Sequence, residues 1–300
     1  MVISMHSHLW ILLLILLPNV LQAGPLRERL QARQTVPEWT VEHDLAYGPA
    51  PEQRYDVYRA ANMQDAPIIM LVHGGGWAHG DKAMDAVVEH KVARWVPREL
   101  ILVSVNYRLL PQARPAQQAR DIAMALAEVQ RQAPRWGGDP GKVVLMGHSA
   151  GAHLVALLSS DPGIRQDLAL QPWLGSVTLD SAAFDVEAIM LKRHPRLYDQ
   201  AFGNDPTDWR AASPLHRLQP GLRPLLAVCS SKREDACPQA LAFQGKAQAL
   251  GARVEIIPQD LSHRQLNQQL GTAGAYTEAV ERFLGSLDVQ LAERLEKFNE

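Results

Sequence analysis

The sequence predicts an α/β protein built on a mostly parallel sheet, and three observations carry that expectation. Continuously apolar runs of strand length alternate with segments of helical period, the pattern of a sheet covered by helices on both faces. A pair of alternating runs near the start, joined by a short Pro/Gly link, reads instead as an antiparallel hairpin. A chain of 300 residues with 47% hydrophobic and 21% charged side chains has the composition of an ordinary globular protein.

The N-terminus stands apart. No Lys, Arg, Asp or Glu occurs before Arg27, and "LWILLLILL" (Leu9–Leu17) is continuously apolar until Pro18. That run suits the core of a signal peptide and is shorter than the ~20 residues that span a bilayer. Residues 1–23 are therefore expected to export the chain to a periplasmic or secreted location, with an uncleaved N-terminal anchor as the alternative. Residues 24–38 follow as a polar lead-in.

The folded domain is expected over 39–285. Its hairpin is "WTVEHDLAYG" (39–48) with "QRYDVYRA" (53–60), and its apolar strands are 66–77, 101–107, 142–149, 173–182, 223–231 and 253–258. Helical segments fall near 82–96, 115–132, 150–160, 238–250 and 264–285. The stretch 183–222 breaks the rhythm with short helical pieces and prolines, so a small lid is expected at about 183–215. Residues 286–300 read as a C-terminal amphipathic helix. The net charge of −2, without a basic run, excludes nucleic acid and an anionic membrane surface as natural partners.

In a parallel sheet, binding groups gather at the C-terminal ends of the strands, and the reactive side chains are sought there. The run "VVLMGHSAGAHL" (143–154) passes from strand to helix through Gly147-His148-Ser149-Ala150-Gly151. G-x-S-x-G alone is a weak signal and could be a plain turn. Placed between a strand and a helix, it is the corner that exposes a nucleophilic serine. The second such place is His73-Gly74-Gly75-Gly76-Trp77, where three glycines at a strand end offer bare N–H groups, as the HGGG motif does in lipases and esterases. Gly75, Gly76 and Ala150 are the expected oxyanion donors. A glycine-rich phosphate loop is the competing reading, but no G-K-[ST] or G-x-G-x-x-G follows.

A base and an acid complete the set. His263, one of 11 histidines, lies just past the last strand and is the expected base. The loop "CSSKREDACPQA" after the preceding strand holds Glu234 and Asp235. Asp235 is preferred as the acid because it is the shorter side chain, and Glu234 is the runner-up. Cys229 and Cys237 bracket this loop, fit no zinc or redox spacing, and are expected to form a local disulfide in an oxidising compartment. His73, Trp77 and His148 are the candidates for the substrate pocket.

Taken together, "HGGGW", "NYRLLPQARPAQQARD" (106–121), "WGGDPGKVVLMGHSAGAHL" (136–154), "ASPLHRLQPGLRPLLAVCSS" (212–231) and "LSH" (261–263) resemble the α/β-hydrolase fold carboxylesterases of the hormone-sensitive-lipase-like group. The resemblance spans roughly 39–285. It implies an eight-stranded sheet, Ser149 as nucleophile, His263 as base, the 73–76 loop as oxyanion hole, and a small or short-acyl ester as substrate. No cofactor and no metal are implied. The same motifs occur in formamidases and feruloyl-type esterases, and a silent ligand-binding relative is the rival outside enzymes. The sequence assigns no oligomeric state.

Overall fold

The computed structural model describes residues 39–168 and 170–297. The expected export segment 1–23 and the lead-in 24–38 lie outside the described residues, as do 298–300.

The chain forms an eight-stranded sheet in the order β1-β2-β4-β3-β5-β6-β7-β8. β1 (Trp39–Ala46) and β2 (Arg54–Ala60) make the antiparallel hairpin, and β2 pairs antiparallel with β4 (Ile101–Val105). From there the sheet is parallel through β3 (Ala66–Val72), β5 (Gly138–His148), β6 (Gly175–Leu179), β7 (Leu225–Ser230) and β8 (Val254–Gln259). Every residue of β3, β4, β6 and β7 is buried, which is why these strands read as unbroken apolar runs.

The register decides where the chemistry can sit. Val72 pairs with Gly147, His148 with Leu179, and Leu179 with Val228. The C-terminal ends of β3, β5, β6 and β7 are thus level. The chain crosses from β3 to β4 on one side and returns to β5 on the other, leaving a crevice at the ends of β3 and β5.

The helix Pro115–Gln132 begins where expected, with Pro115 in its first turn and the Gln117 side chain accepting from the Arg114 N–H at 2.9 Å. It buries Ala119, Ile122, Ala123, Leu126 and Val129, a stripe of helical period. The helix Ala150–Ser160 is buried at every residue, which matches its almost wholly apolar composition.

The single helix expected over 264–285 is a correction. Two helices, His263–Gln268 and Ala275–Gly285, take its place. Gly271 (φ +101°) and Gly274 (φ +143°) occupy backbone conformations that ordinary residues avoid, and a Cβ on Gly271 would meet the His90 carbonyl oxygen at 2.4 Å. The segment from 183 carries four short helices, Val186–Met190, Arg196–Phe202, Pro206–Ala211 and Pro214–Arg217. Proline starts two of them, and the Asp185 and Asp205 side chains cap the first and third. The final helix is Val289–Glu296; Asp288 caps it, and Leu291 and Leu295 are its buried residues.

Candidate active site

Ser149 stands at the corner between β5 and the helix Ala150–Ser160. Its backbone is strained, at φ 56° and ψ −118°, in a region that a side-chain-bearing residue adopts at a cost of about 1–3 kcal/mol. Neighbouring groups hold it there: its N–H donates to the Leu179 carbonyl at 2.9 Å, and its own carbonyl accepts from the His153 N–H at 3.0 Å. The flanking glycines answer to close backbone approach. A Cβ on Gly147 would meet the Gly151 carbonyl oxygen at 2.4 Å, and one on Gly151 would meet the Val72 and His73 carbonyl oxygens at 2.3 and 2.4 Å. Only glycines let the helix start pack this tightly against the end of β3.

Ser149 Oγ lies 2.9 Å from His263 Nε2. The other ring nitrogen, Nδ1, lies 2.6 Å from Asp180 Oδ2. The ring therefore bridges a hydroxyl and a carboxylate. With its proton on Nδ1 donated to Asp180, Nε2 is free to accept from the serine.

The carboxylate that meets the His263 ring is Asp180, not Asp235 or Glu234 as the sequence led one to expect. Asp235 places its carboxylate on Arg233 Nη2 at 2.9 Å, and its side chain is 54% exposed. Glu234 is exposed beside it. Asp180 instead sits one residue past β6, fully buried, with the Ser230 N–H donating to its Oδ1 at 2.7 Å and Arg233 Nη1 donating to its Oδ2 at 2.9 Å. Burial works to raise its pKa, but the hydrogen bonds from His263 and Ser230 and the charge of Arg233 outweigh it, so the carboxyl stays below its usual range. In the sequence, "TLDSA" (178–182) reads as the last residues of one strand running 173–182. The available signal was an acid at the C-terminal end of an otherwise apolar run, in the same chain order between serine and histidine.

Gly76 and Ala150 line one cavity with Ser149 and His263. Ala150 opens its helix, so its N–H is one of the donors that a helix leaves without an internal acceptor. Gly75 does not line the cavity. It holds the turn, its carbonyl accepting from the Ala78 and His79 N–H groups at 3.2 and 3.0 Å.

Of the three pocket candidates, the structure places only Trp77 on the cavity wall. His73 is buried behind the glycine turn, stacked on Tyr107 at 4.5 Å with Nδ1 donating to the Gly74 carbonyl at 2.7 Å. His148 packs against the back of His263, its Nε2 donating to that residue's carbonyl at 2.9 Å. Burial, reinforced by the neighbouring His263, pushes the His148 pKa down to about 3, so it remains a neutral support. Both histidines belong to the scaffold of the site.

The cavity has a volume of about 370 Å³, and its remaining wall includes Pro195, Leu197 and Tyr198 from the 183–215 segment. Trp77 ties that segment to the glycine turn. Its Nε1 donates to His153 Nδ1 at 3.1 Å, which leaves the proton of that ring on Nε2 to donate to the Ala212 carbonyl at 2.8 Å. Burial lowers the His153 pKa to about 4 and keeps the ring neutral, as this pattern requires. Cys229 and Cys237 are joined as a disulfide across the loop that carries Arg233 and Asp235.

Comparison with known proteins follows the same lines. The BD-FAE family model matches residues 55–190. The chain is 27% identical to esterase LipC of Mycobacterium tuberculosis over 206 residues, covering 63% of this chain and 50% of LipC. It is 32% identical over 117 residues to the isoprenylcysteine alpha-carbonyl methylesterase ICME of Arabidopsis thaliana, covering 39% of this chain and 27% of that one. Among solved structures, a thermophilic esterase of Thermogutta terrifontis superposes with a TM-score of 0.68 at 21% identity, over 89% of this chain and 96% of that one. The chain has the α/β-hydrolase fold, and the proteins it resembles in sequence are named as esterases.

The chain spans half or less of the length of those two curated relatives. Esterase B of Lactobacillus rhamnosis, whose structure carries a C4-C4 tributyrin phosphonate inhibitor, has the same fold at a TM-score of 0.68 and 18% identity, over 90% of this chain and 92% of that one.

Proposed function

We propose that the protein is a serine carboxylic-ester hydrolase acting on small or short-acyl esters, through Ser149, His263 and Asp180. The observation that carries this reading is the continuous array from Ser149 Oγ to His263 to buried Asp180, with contacts of 2.9 and 2.6 Å. His263 takes the serine proton as Oγ attacks the acyl carbonyl, and Asp180 stabilises the imidazolium that forms. The Ala150 N–H and the glycine turn, through Gly76, meet the oxyanion. The alcohol leaves with the proton from His263, and water activated by the same ring releases the acid from Ser149. Asp180 replaces Asp235 in this scheme.

The cavity supports the substrate class. About 370 Å³, walled by Trp77, Leu197 and Tyr198, matches the lower range of small-molecule sites, roughly 300–1,000 Å³. The names of the relatives, esterase LipC and the methylesterase ICME, support the same reaction type. We further propose export as the setting, since a disulfide persists in an oxidising compartment.

The test is hydrolysis of p-nitrophenyl esters of increasing acyl length by the parent and by Ser149→Ala. Turnover that falls with chain length, and drops by at least about 10⁴-fold in the variant, is the expected result. A folded parent inert on all of them would sink the ester reading and move attention to formamides and feruloyl esters.

A further inference from the structure

Arg233 lies beside the array without belonging to it. Its Nη1 is 2.9 Å from Asp180 Oδ2, the same oxygen that faces His263, and 3.0 Å from His263 Nδ1 itself. Its Nη2 donates to Asp235 Oδ2 at 2.9 Å. A guanidinium can only donate. If it donated to Nδ1, the ring proton would move to Nε2, and Nε2 could no longer accept from Ser149. The shorter 2.6 Å contact gives Nδ1 to Asp180 instead, so the useful bond of Arg233 is the one to Oδ2.

That placement has a cost. Arg233 brings a positive charge to a ring that must itself become positive during the reaction. Asp235 offsets it. The two carboxylates and the guanidinium leave one net negative charge beside the neutral ring, and the imidazolium cancels that charge.

We infer that Arg233 and Asp235 form a charge-balancing clamp on the Asp180–His263 pair, with Arg233 a positioning residue and Asp235 acting through it. For its effect on turnover, the clamp rests on the esterase reading above. The loop that carries it is anchored: the Ser230 hydroxyl donates to the Leu261 carbonyl at 2.6 Å, the Arg233 N–H donates to the Ser230 carbonyl at 3.3 Å, and the Cys229–Cys237 disulfide closes the loop.

Other titratable groups around His263 are the same in the parent and in every variant. From β5, His148 is held neutral by burial. From the helix Ala275–Gly285, Tyr276 is pushed far up by burial and donates to the Leu266 carbonyl. From the helix Asp85–Trp95, buried Lys91 is lowered to about 7 and donates to the Asn267 carbonyl at 2.8 Å. None of them is altered in the variants below.

The experiment titrates His263 directly, by NMR of histidine-labelled protein, in the parent, Arg233→Gln, Arg233→Lys and Asp235→Asn. The acid limb of kcat/KM for a short-acyl p-nitrophenyl ester is recorded alongside. Removing the cation favours the imidazolium, so R233Q moves both the midpoint and the limb to higher pH by roughly one unit. D235N leaves the cation less compensated and moves both to lower pH, by less because its carboxylate is 54% exposed. R233K restores the charge and returns the midpoint towards the parent.

Opposite shifts in R233Q and D235N establish the clamp, because loosened packing has no reason to reverse sign between them. Unmoved midpoints, or shifts in one direction in both, overturn it. If R233Q does not fold, R233K and D235N still decide: the clamp requires D235N to move downward. Midpoints that move as expected in a protein that turns over no ester retain the clamp and reject the esterase reading. Turnover without such shifts does the reverse.

Discussion

Asp180 takes a left-handed backbone conformation, φ 57°, at the point where β6 stops. Aspartate tolerates that conformation better than most residues, and the turn directs its carboxylate at His263. Asp180→Asn keeps the size of the group and removes its charge. We expect kcat to fall by about 10⁴-fold, as for loss of the acid in comparable arrays, with KM little changed. Asp235→Asn should cost less than about tenfold, since a half-exposed carboxylate acting through another residue is screened. Steady-state kinetics on a p-nitrophenyl ester distinguish the two. Equal losses would contradict the assignment of Asp180.

At the scale of elements, the 229–237 loop joins the end of β7 to the helix Ala236–Ala249 and is closed by its disulfide. Cross-linking residues eight apart in sequence restricts a short unfolded loop, which on chain-entropy grounds is worth about 2–3 kcal/mol. Cys237→Ser is therefore expected to lower the denaturant midpoint while leaving the m-value unchanged. A midpoint equal to that of the parent would show that the bridge adds no stability. The lid is an element of another kind. It is wired to the body by the Arg114–Asp208 ion pair at 3.1 Å and by Gln239 Oε1, which accepts from the Asp185 N–H at 2.7 Å.

Over the whole molecule, buried neutral histidines set the response to acid. His148 and His153 have pKa values lowered to about 3 and about 4 from an ordinary 6.5. Between those values and 6.5 the unfolded chain binds protons that the folded chain refuses. Stability therefore rises with pH across that window and is lost as the pH falls through it. Asp180, whose carboxyl is also held low, adds to the loss further down, below about 3.8. Calorimetry from pH 7 to 4 should show a steadily falling Tm, and a flat profile would contradict the neutral assignment of both rings.

Much of this architecture was legible in the chain. The fully buried strands announce themselves as apolar runs, and the glycines at 147 and 151 mark a corner whose crowding the coordinates make explicit. Ser149 and His263 followed from strand ends and chain order. Asp180 did not, because the expected strand runs on through Ala182 and nothing in the pattern marks its true end at Leu179, one residue before the acid. His73 and His148 were misplaced for the opposite reason: they neighbour the reactive positions in sequence, but their rings turn into the scaffold. The split at Gly271 and Gly274 was hidden because helical period alone does not register the backbone of a glycine.

The hydrogen-bonded path from Trp77 through His153 to Ala212 has a mechanical consequence. One indole is at once a wall of the cavity, a neighbour of the glycine turn, and the anchor of the lid. Swinging the 183–215 segment outward would break the buried His153–Ala212 bond and pull Tyr198 and Phe202 off the indole. On the ester reading proposed above, an entrance braced in this way is a fixed gauge, expected to refuse a bulky acyl chain by its width.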